Sequence, residues 1–298
     1  MEKKLEANLS MIVSKALGGF NMNALKYLLP LWMAPVTGVT IRLVFAAVAF
    51  WMIDIFCRPE NSSTRQKVQL LILGALGNYG FMFFYLMGLS KTTPISSSIF
   101  VSLEPVWVFI IAVLFYKEKM TWMKISGIGM GLAGAILCVV TQRSDDLASD
   151  AFLGNMFCLI SSLIYAVYLV FSTRLLKGVG TMTMLKYSFL GAAVMAVIVN
   201  SFLGFDAPVL QMSLFSTPML VLLFVLIFPT TISYFLLPIG LKYLNTTLVA
   251  IYGYLILIVA TVTSLLLGQD RFSWTQTIAI ALICLSVYLV EVAENKKS

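Results

Sequence analysis

Long apolar runs recur along the whole chain and are separated by short polar stretches. Each run approaches the roughly 20 residues that an α-helix needs to cross the hydrocarbon core of a bilayer. The pattern predicts an all-α polytopic membrane protein. Its ten predicted spans are residues 9–29, 35–56, 68–90, 94–116, 121–141, 152–174, 182–203, 214–239, 245–267 and 273–292. The two longest loops, 141–151 and 201–213, are too short to fold alone, so we expect no separate soluble domain.

Composition agrees with this interpretation and removes several classes of function. Of 298 residues, 60% are hydrophobic and 11% are charged, against about 25% charged in soluble domains. There is no histidine, which excludes imidazole zinc sites, Ser-His triads and histidine proton relays. The four cysteines are scattered without metal or redox spacing. We therefore expect no catalytic residue, metal or cofactor.

The net charge of +7 has a topological explanation. If the N-terminus is cytoplasmic, thirteen basic residues fall at inner ends and loops: Lys3, Lys4, Arg58, Arg65, Lys67, Lys117, Lys119, Lys124, Arg174, Lys177, Lys242, Lys296 and Lys297. Three fall in outer loops: Lys91, Arg143 and Arg271. Because cytoplasmic loops carry the excess of Lys and Arg, both termini are predicted to be cytoplasmic. Nucleic acid is not needed as a partner to explain the charge.

An internal repeat divides the chain into residues 1–141 and 152–298. Residues 88–140 align with 240–292 without a gap, and identities such as Gly88 with Gly240 and Trp122 with Trp274 hold across two spans. Five spans per half is an odd number, so the second half enters the membrane from the opposite side. Inverted repeats of this kind are typical of transporters with a site near the midplane. The alternative is chance alignment of apolar sequence.

The stretch GLSKTTPISSSIFVSLEPVWVFIIAVLFYKEKMTW and the glycine-rich span after it resemble the drug/metabolite transporter superfamily, EamA type. The resemblance implies a ten-helix carrier in the plasma membrane, in bacteria the inner membrane, that usually exports small metabolites. The chain departs from the family pattern in span one, which has Gly-Gly-Phe in place of Trp-Gly. It departs again in span nine, where Ile256 and Leu257 replace the Glu-Pro pair. Substrate class and coupling ion stay open.

Glu104 is the acidic residue nearest the membrane midplane. It lies ten residues into span four, at a depth of about 15 Å. An unpaired carboxylate at that depth is costly and is most often functional. Pro105 cannot donate a backbone hydrogen bond, so the Val101 carbonyl loses its helical partner and a bend is expected. The alternative role for Glu104 is a buried ion pair that fixes helix packing.

Two cations are candidate partners of Glu104. Lys15 lies on a face of span one with Gly19, Lys26 and either Met22 or Asn23, and Arg42 lies in span two. Both are within roughly 6 Å of Glu104 in depth by helix rise, and the pattern leaves the choice between them open. Lys15 has the alternative of extending to the head groups, which is also the expectation for Lys26 and Lys186.

Further polar residues are predicted to line a pathway between the two halves. Span six carries a polar stripe that aligns with the Lys15 face at an offset of 146 residues. The alternative is hydrogen bonding that joins neighbouring helices. The additional pathway candidates are Asn78, Tyr85, Tyr165, Tyr168, Thr230, Tyr234 and Tyr254, and the predicted helix breaks are Pro105, Pro229 and Gly253.

Together these features predict a secondary carrier or facilitator of a small organic metabolite, amino-acid-like or amphipathic, that works by alternating access around Glu104. Its partners are the substrate and the lipid bilayer, with protons as one candidate coupling ion; the oligomeric state is open. Export follows from the resemblance alone, and an importer or uniporter of the same fold is an alternative. A Gly-rich phosphate loop is missing, so an ATP-driven pump is excluded on this chain alone. An intramembrane enzyme or lipid-handling protein is the remaining alternative, although it would need several reactive groups at one depth.

Overall fold

The computed structural model describes residues 2–116, 122–141, 150–176, 179–243 and 246–295, and these residues form ten helical rods without a β-strand. The rods are α1 (Glu2–Leu28), α2 (Pro35–Asp54), α3 (Thr64–Lys91), α4 in two segments (Pro94–Val101 and Glu104–Tyr116), α5 (Trp122–Thr141), α6 (Ala151–Leu176), α7 (Thr181–Leu203), α8 (217–243), α9 (Thr246–Leu266) and α10 (Trp274–Asn295). A short 3₁₀ turn at Pro208–Gln211 lies in the α7–α8 loop.

Each predicted span coincides with one of these rods, so the expected all-helical fold with ten helices is confirmed. Five stretches within the described residues are long and apolar enough to cross a membrane by themselves: Pro35–Asp54, Thr64–Lys91, Ala151–Ser172, Thr181–Leu203 and Thr217–Leu237. Shorter apolar stretches occupy α5, α9 and α10. Helix α1 begins seven residues before the predicted span, at Glu2, because its first turns are charged and extend beyond the apolar run.

Local sequence explains where several helices begin and end. Ser63 caps α3 through its side chain, which accepts from the Gln66 amide, while the Gln66 side chain accepts from the Ser63 amide. This reciprocal capping satisfies two amides that otherwise lack partners in the first turn. Thr93 caps α4 by accepting from the Ser96 amide through its side chain, with Pro94 at the first helical position. Helix α7 ends at Gly204, whose φ of 89° is readily adopted by glycine.

Three of the rods are interrupted near their centres. Helix α3 contains a π-helical stretch at Gly74–Asn78, and α8 contains one at Leu226–Ile232 that includes Pro229. Helix α4 breaks at Ser102 and Leu103, directly before Glu104. Interruptions of this kind are frequent at functional sites. They lie at the depth where the sequence places its ionisable residue.

Extensive contacts between pairs of helices hold the bundle together. The largest contacts join α3 with α6, α5 with α10, α3 with α7, α1 with α8, α1 with α9, α2 with α7, and α4 with α6. A main core cluster draws its side chains chiefly from α1, α2, α3, α7 and α8. Helices α3 and α7 approach closely: a Cβ at Gly74 would lie 1.9 Å from the Ser188 carbonyl oxygen, and one at Gly191 would lie 2.0 Å from that of Leu71. Small residues thus set the spacing of this pair.

Two lysines that were expected to extend to the head groups have partners on neighbouring helices. Lys26 donates to the carbonyls of Leu89, Ser90 and Thr92, at 3.2, 3.3 and 2.6 Å. A lysine at this position satisfies carbonyls at a helix C-terminus and is favoured by the helix dipole. Lys186 forms an ion pair with Asp54 and lies 4.8 Å from the Trp51 ring centroid. In both cases the acceptors lie at the end of a helix, so the head-group expectation stays a prediction.

Candidate functional site

A cavity of about 140 Å³ lies at the middle of the bundle, among α1, α2, α3, α4, α6, α8 and α9. It lies beside the break in α4 and the π-helical stretch of α8. Its lining residues are Ser14, Lys15, Gly18, Asn21, Met22, Arg42, Phe81, Tyr85, Val101, Glu104, Ser161, Ser162, Tyr165, Pro229, Ser233, Tyr234, Leu237 and Ile256. Small enclosed sites lined by apolar and aromatic side chains with a few polar groups are typical of ligand binding.

Seven of the residues singled out from the sequence lie together on this cavity: Glu104, Lys15, Arg42, Tyr85, Tyr165, Tyr234 and Pro229. They come from six different helices, so the bundle collects them from distant parts of the chain. Polar and ionisable groups in a membrane protein concentrate where they face a cavity and not lipid.

The ionisable groups on the cavity have different neighbours. Lys15 is the charged group whose field acts on Glu104. Arg42 is 2% exposed and donates from Nε to Thr230 Oγ1 at 3.0 Å, and its electrostatic neighbours are the tyrosines Tyr234 and Tyr85. Of the two candidate partners, Lys15 is therefore the one whose charge acts on Glu104, whereas Arg42 is anchored to α8.

Several buried polar atoms on the cavity have no hydrogen-bond partner among the described residues. They are Arg42 Nη1 and Tyr85 Oη, which are donors, and Asn21 Oδ1, which is an acceptor. A buried polar group without a partner costs about 1–3 kcal/mol. Such groups are therefore poised to bind a polar solute or ordered water.

The remaining wall of the cavity combines aromatic rings and hydroxyls. Phe81 and Tyr165 pack with ring centroids 4.6 Å apart, which closes the gap between α3 and α6. On the opposite side, Ser14 and Ser233 join α1 to α8 through hydroxyls 2.9 Å apart. The cavity thus offers apolar ring surface between two polar regions.

The other predicted residues lie elsewhere. Asn23 is buried and donates from Nδ2 to the carbonyls of Gly19 and Ala260, at 3.2 Å each, which joins α1 to α9. Asn78 is buried at the end of the π-helical stretch of α3, and Thr230 accepts from Arg42. Tyr168 Oη lies 3.0 Å from Ser188 Oγ. The side chains of Tyr254 and Pro105 lie outside the described residues, and the backbone of α9 is helical without interruption through Gly253.

Sequence reasoning missed several cavity residues, chief among them Ser14, Asn21, Ser233 and Ile256. Asn21 was detectable in principle, because Ser14, Gly18 and Asn21 share the spacing of four and three that marks Lys15, Gly19 and Met22. The face chosen was only part of the surface that contacts the cavity, since Lys15 and Met22 line it together with Ser14, Gly18 and Asn21. Ile256 carries no polar signal, and its place at the site depends on the packing of α9 against α1.

Comparison with known proteins gives a consistent result. The profile of the EamA-like transporter family matches residues 6–140 and again residues 152–292. The chain is 25% identical over 276 residues to "Uncharacterized transporter YyaM" of Bacillus subtilis (strain 168), which covers 90% of this chain and 88% of that protein. It is 22% identical over 284 residues to an "Uncharacterized transporter" of Archaeoglobus fulgidus, which covers 95% of this chain and 91% of the relative.

A solved structure, "Crystal structure of protein", superposes with a TM-score of 0.64 at 16% identity and covers 100% of this chain and 99% of the other. This likeness supports the fold alone. The family match spans nearly the whole chain and confirms the resemblance seen in the sequence. The chain belongs to the EamA-like transporter family and is a multi-pass membrane transporter.

Proposed function

We propose that the protein is a secondary carrier that moves a small zwitterionic, amino-acid-like metabolite across the plasma membrane by alternating access. It consists of two inverted five-helix repeats, residues 1–141 and 152–298, with both termini in the cytoplasm. The central cavity around Glu104 and Arg42 is its substrate site. Export is the favoured direction and rests on the family resemblance.

The helix pairing supports the repeat arrangement. In an inverted repeat, each helix of the first half corresponds to the helix five places later in the second half. When corresponding helices are exchanged, the α3–α6 pair becomes α8–α1, and the α1–α9 pair becomes α6–α4. The same exchange maps α2–α7 and α5–α10 onto themselves. These related pairs are what an inverted repeat with a twofold axis predicts, although the extensive α3–α7 pair has only a weaker counterpart in α8–α2.

The positions of the π-helical interruptions also support it. The two π-helical stretches begin at Gly74 and Leu226, which are 152 residues apart. This offset equals the one at which the sequence aligns with itself. The observation carries more weight than the sequence match because π-helical stretches are rare.

The observation that carries the substrate class is the unpartnered Arg42 Nη1 on the same small cavity as Glu104. Guanidinium groups recognise carboxylates with fixed geometry. A carboxylate can offer an ammonium group the counter-charge that it needs away from water. We propose that a solute places its carboxylate at Arg42 and Tyr85 and its ammonium at Glu104, with its carbon skeleton against the aromatic wall.

Lys15 gives Glu104 a second role in the same proposal. When the substrate ammonium is absent, Lys15 or a proton neutralises the carboxylate; when it is present, the ammonium replaces them. This exchange would couple substrate binding to the charge state of Glu104, and it makes protons the candidate coupling ion. The site then differs between the two orientations of the carrier by the partner of a single carboxylate.

Counterflow in proteoliposomes tests the proposal. Proteoliposomes that contain the purified protein are loaded with a pool of unlabelled solutes. Their uptake of labelled amino acids, monocarboxylates and primary amines is then compared. We expect uptake of solutes that carry both charges, and loss of uptake in Arg42→Gln and Glu104→Gln variants that keep the wild-type unfolding temperature. Equal uptake of simple amines or monocarboxylates, or full activity of both variants, would contradict the zwitterion site.

A further inference from the structure

A second cavity lies on the membrane-facing side of the bundle, apart from the central site. It is a groove of about 660 Å³ between α3 and α6, and its lining residues are Gln69, Ile72, Leu73, Leu76, Gly77, Leu163, Ile164, Val167, Tyr168 and Phe171. Gln69 and Tyr168 are the polar residues in this lining. Two residues of its lining are largely exposed: Leu76 is 67% exposed and Ile72 is 54% exposed.

The floor of the groove is rigid. A Cβ at Gly77 would lie 2.8 Å from Tyr168 Cδ2, so glycine allows the Tyr168 ring to pack directly against α3. The Tyr168 hydroxyl is held by Ser188 at 3.0 Å. The groove is therefore a preformed depression, whose shape does not depend on the loose ends of side chains.

The dimensions of the groove fit a lipid acyl chain. From Gln69 to Gly77 the helix rises about 12 Å, against about 15 Å for the hydrocarbon of one leaflet. The groove begins five residues after the start of α3, so it lies in the leaflet on that side of the membrane. In the proposed orientation this is the cytoplasmic leaflet.

A basic residue, Arg65, lies beyond one end of the groove. Arg65, Gln69, Ile72 and Leu76 follow each other at spacings of four, three and four, which places them on one face of α3. Arg65 is exposed, and it lies one turn before Gln69 at the head-group end. The neighbouring Lys67 is directed elsewhere, with Nζ 5.7 Å from the Tyr187 ring centroid.

An apolar groove gains little selectivity in a bilayer, because lipid tails are as apolar as its walls. A basic residue above the groove supplies that selectivity, since each Lys or Arg near an anionic leaflet favours binding by about fivefold. We propose that the groove binds one acyl chain of an anionic phospholipid, with the lipid phosphate at Arg65. The site is distinct from the substrate cavity and does not depend on the transported solute.

Photolabelling in nanodiscs tests this site. The protein is placed in phosphatidylcholine nanodiscs with a small fraction of phosphatidylglycerol or phosphatidylcholine that carries a diazirine in mid-chain, and labelled peptides are mapped by mass spectrometry. We expect the phosphatidylglycerol probe to label 69–77 and 163–171 preferentially. Arg65→Gln lowers that labelling about fivefold, whereas the exposed Arg58→Gln, in the α2–α3 loop, leaves it unchanged.

A second pair of variants tests the acyl chain separately from the head group. Leu76→Trp fills the groove and removes labelling by both probes at these peptides, while Leu285→Trp, at an exposed position on α10, does not. The unfolding temperature of each variant in detergent is measured alongside to show that it is folded. Equal labelling of the groove by both probes, labelling spread evenly over lipid-facing helices, or an unchanged signal in Arg65→Gln would overturn the proposal.

Discussion

Arg42 Nε donates a 3.0 Å hydrogen bond to Thr230 Oγ1, which joins the middle of α2 to the π-helical stretch of α8. This bond uses the Nε–H group of the guanidinium and leaves Nη1 without a partner among the described residues. Thr230 thereby fixes the orientation of a charged group that the cavity leaves free to bind. Residues on two helices far apart in sequence thus define one side of the candidate site.

Removing the threonine hydroxyl is expected to reduce transport through the orientation of Arg42. Thr230→Val keeps the side-chain shape but leaves Arg42 Nε unpaired and buried, at a cost of about 1–3 kcal/mol in the free energy of unfolding. We expect a raised KM for counterflow and a lower unfolding temperature in detergent.

The neighbouring Thr231 provides the matched control. Its hydroxyl donates to the Leu226 carbonyl at 2.9 Å within the same helix and makes no bond to Arg42. Thr231→Val is expected to keep the wild-type KM. An equal rise in KM for both variants would show that the effect comes from α8 as a whole.

Neutralising Glu104 is expected to separate proton-driven flux from substrate exchange. Glu104→Gln keeps the size of the side chain but cannot take up or release a proton, so a pH gradient should no longer drive accumulation in proteoliposomes. Asp206 is an exposed acidic residue in the α7–α8 loop, and Asp206→Asn serves as the control. Normal pH-dependent accumulation by Glu104→Gln would exclude this carboxylate as the coupling site.

Adding one methyl group between α3 and α7 is expected to destabilise the bundle. In Gly74→Ala the new Cβ would lie 1.9 Å from the Ser188 carbonyl oxygen, so the helices must separate. Overpacking of this kind costs about 1–3 kcal/mol. A lower unfolding temperature in detergent is the expected result.

Gly129 on α5 is the comparison for that substitution. A Cβ there meets nothing within 4 Å among the described atoms. Gly129→Ala should be neutral or stabilising by up to about 1 kcal/mol, because alanine has the higher helix propensity. Similar losses for the two alanine variants would show that helix spacing at Gly74 is not the cause.

The loop between α9 and α10 is expected to make stability depend on pH in the acid range. Burial raises the pKa of the Asp270 carboxyl, which is 7% exposed, accepts the Arg271 amide at 3.0 Å and faces the charge of Lys26. Between its ordinary pKa of about 3.9 and the raised folded value, the folded state binds more protons than the unfolded state. The free energy of unfolding should therefore fall as the pH rises through that window.

Unfolding in detergent across this pH range checks the sign of the effect. Asp270→Asn should flatten the profile, while Asp206→Asn should preserve it. A wild-type free energy of unfolding that rises with pH in this window and loses that rise in Asp270→Asn would contradict the assignment.

The sequence predicted the ten helices well because membrane-spanning helices can be recognised from their length and hydropathy, without knowledge of their neighbours. It also predicted Glu104, since an acid in an apolar run is visible by itself. It could not identify the partners of Lys26 and Lys186, because their acceptors lie on other helices. It missed Asn21 and selected Asn23 instead, because helical periodicity gives the faces of α1 but not which face meets the cavity.

By itself, the sequence determined the number of helices, the offset of 152 residues between the aligned segments, and the acid nearest the membrane midplane, whose aligned position is Ile256. Each of these depends on interactions within about one helix and the surrounding lipid. The tertiary structure decided that Glu104 and Ile256 line the same cavity, that Lys15 is the charged neighbour of Glu104, and that Arg42 bonds to Thr230. These relationships depend on the rotation and pairing of helices, which are fixed by close packing of small residues and by bonds between distant parts of the chain.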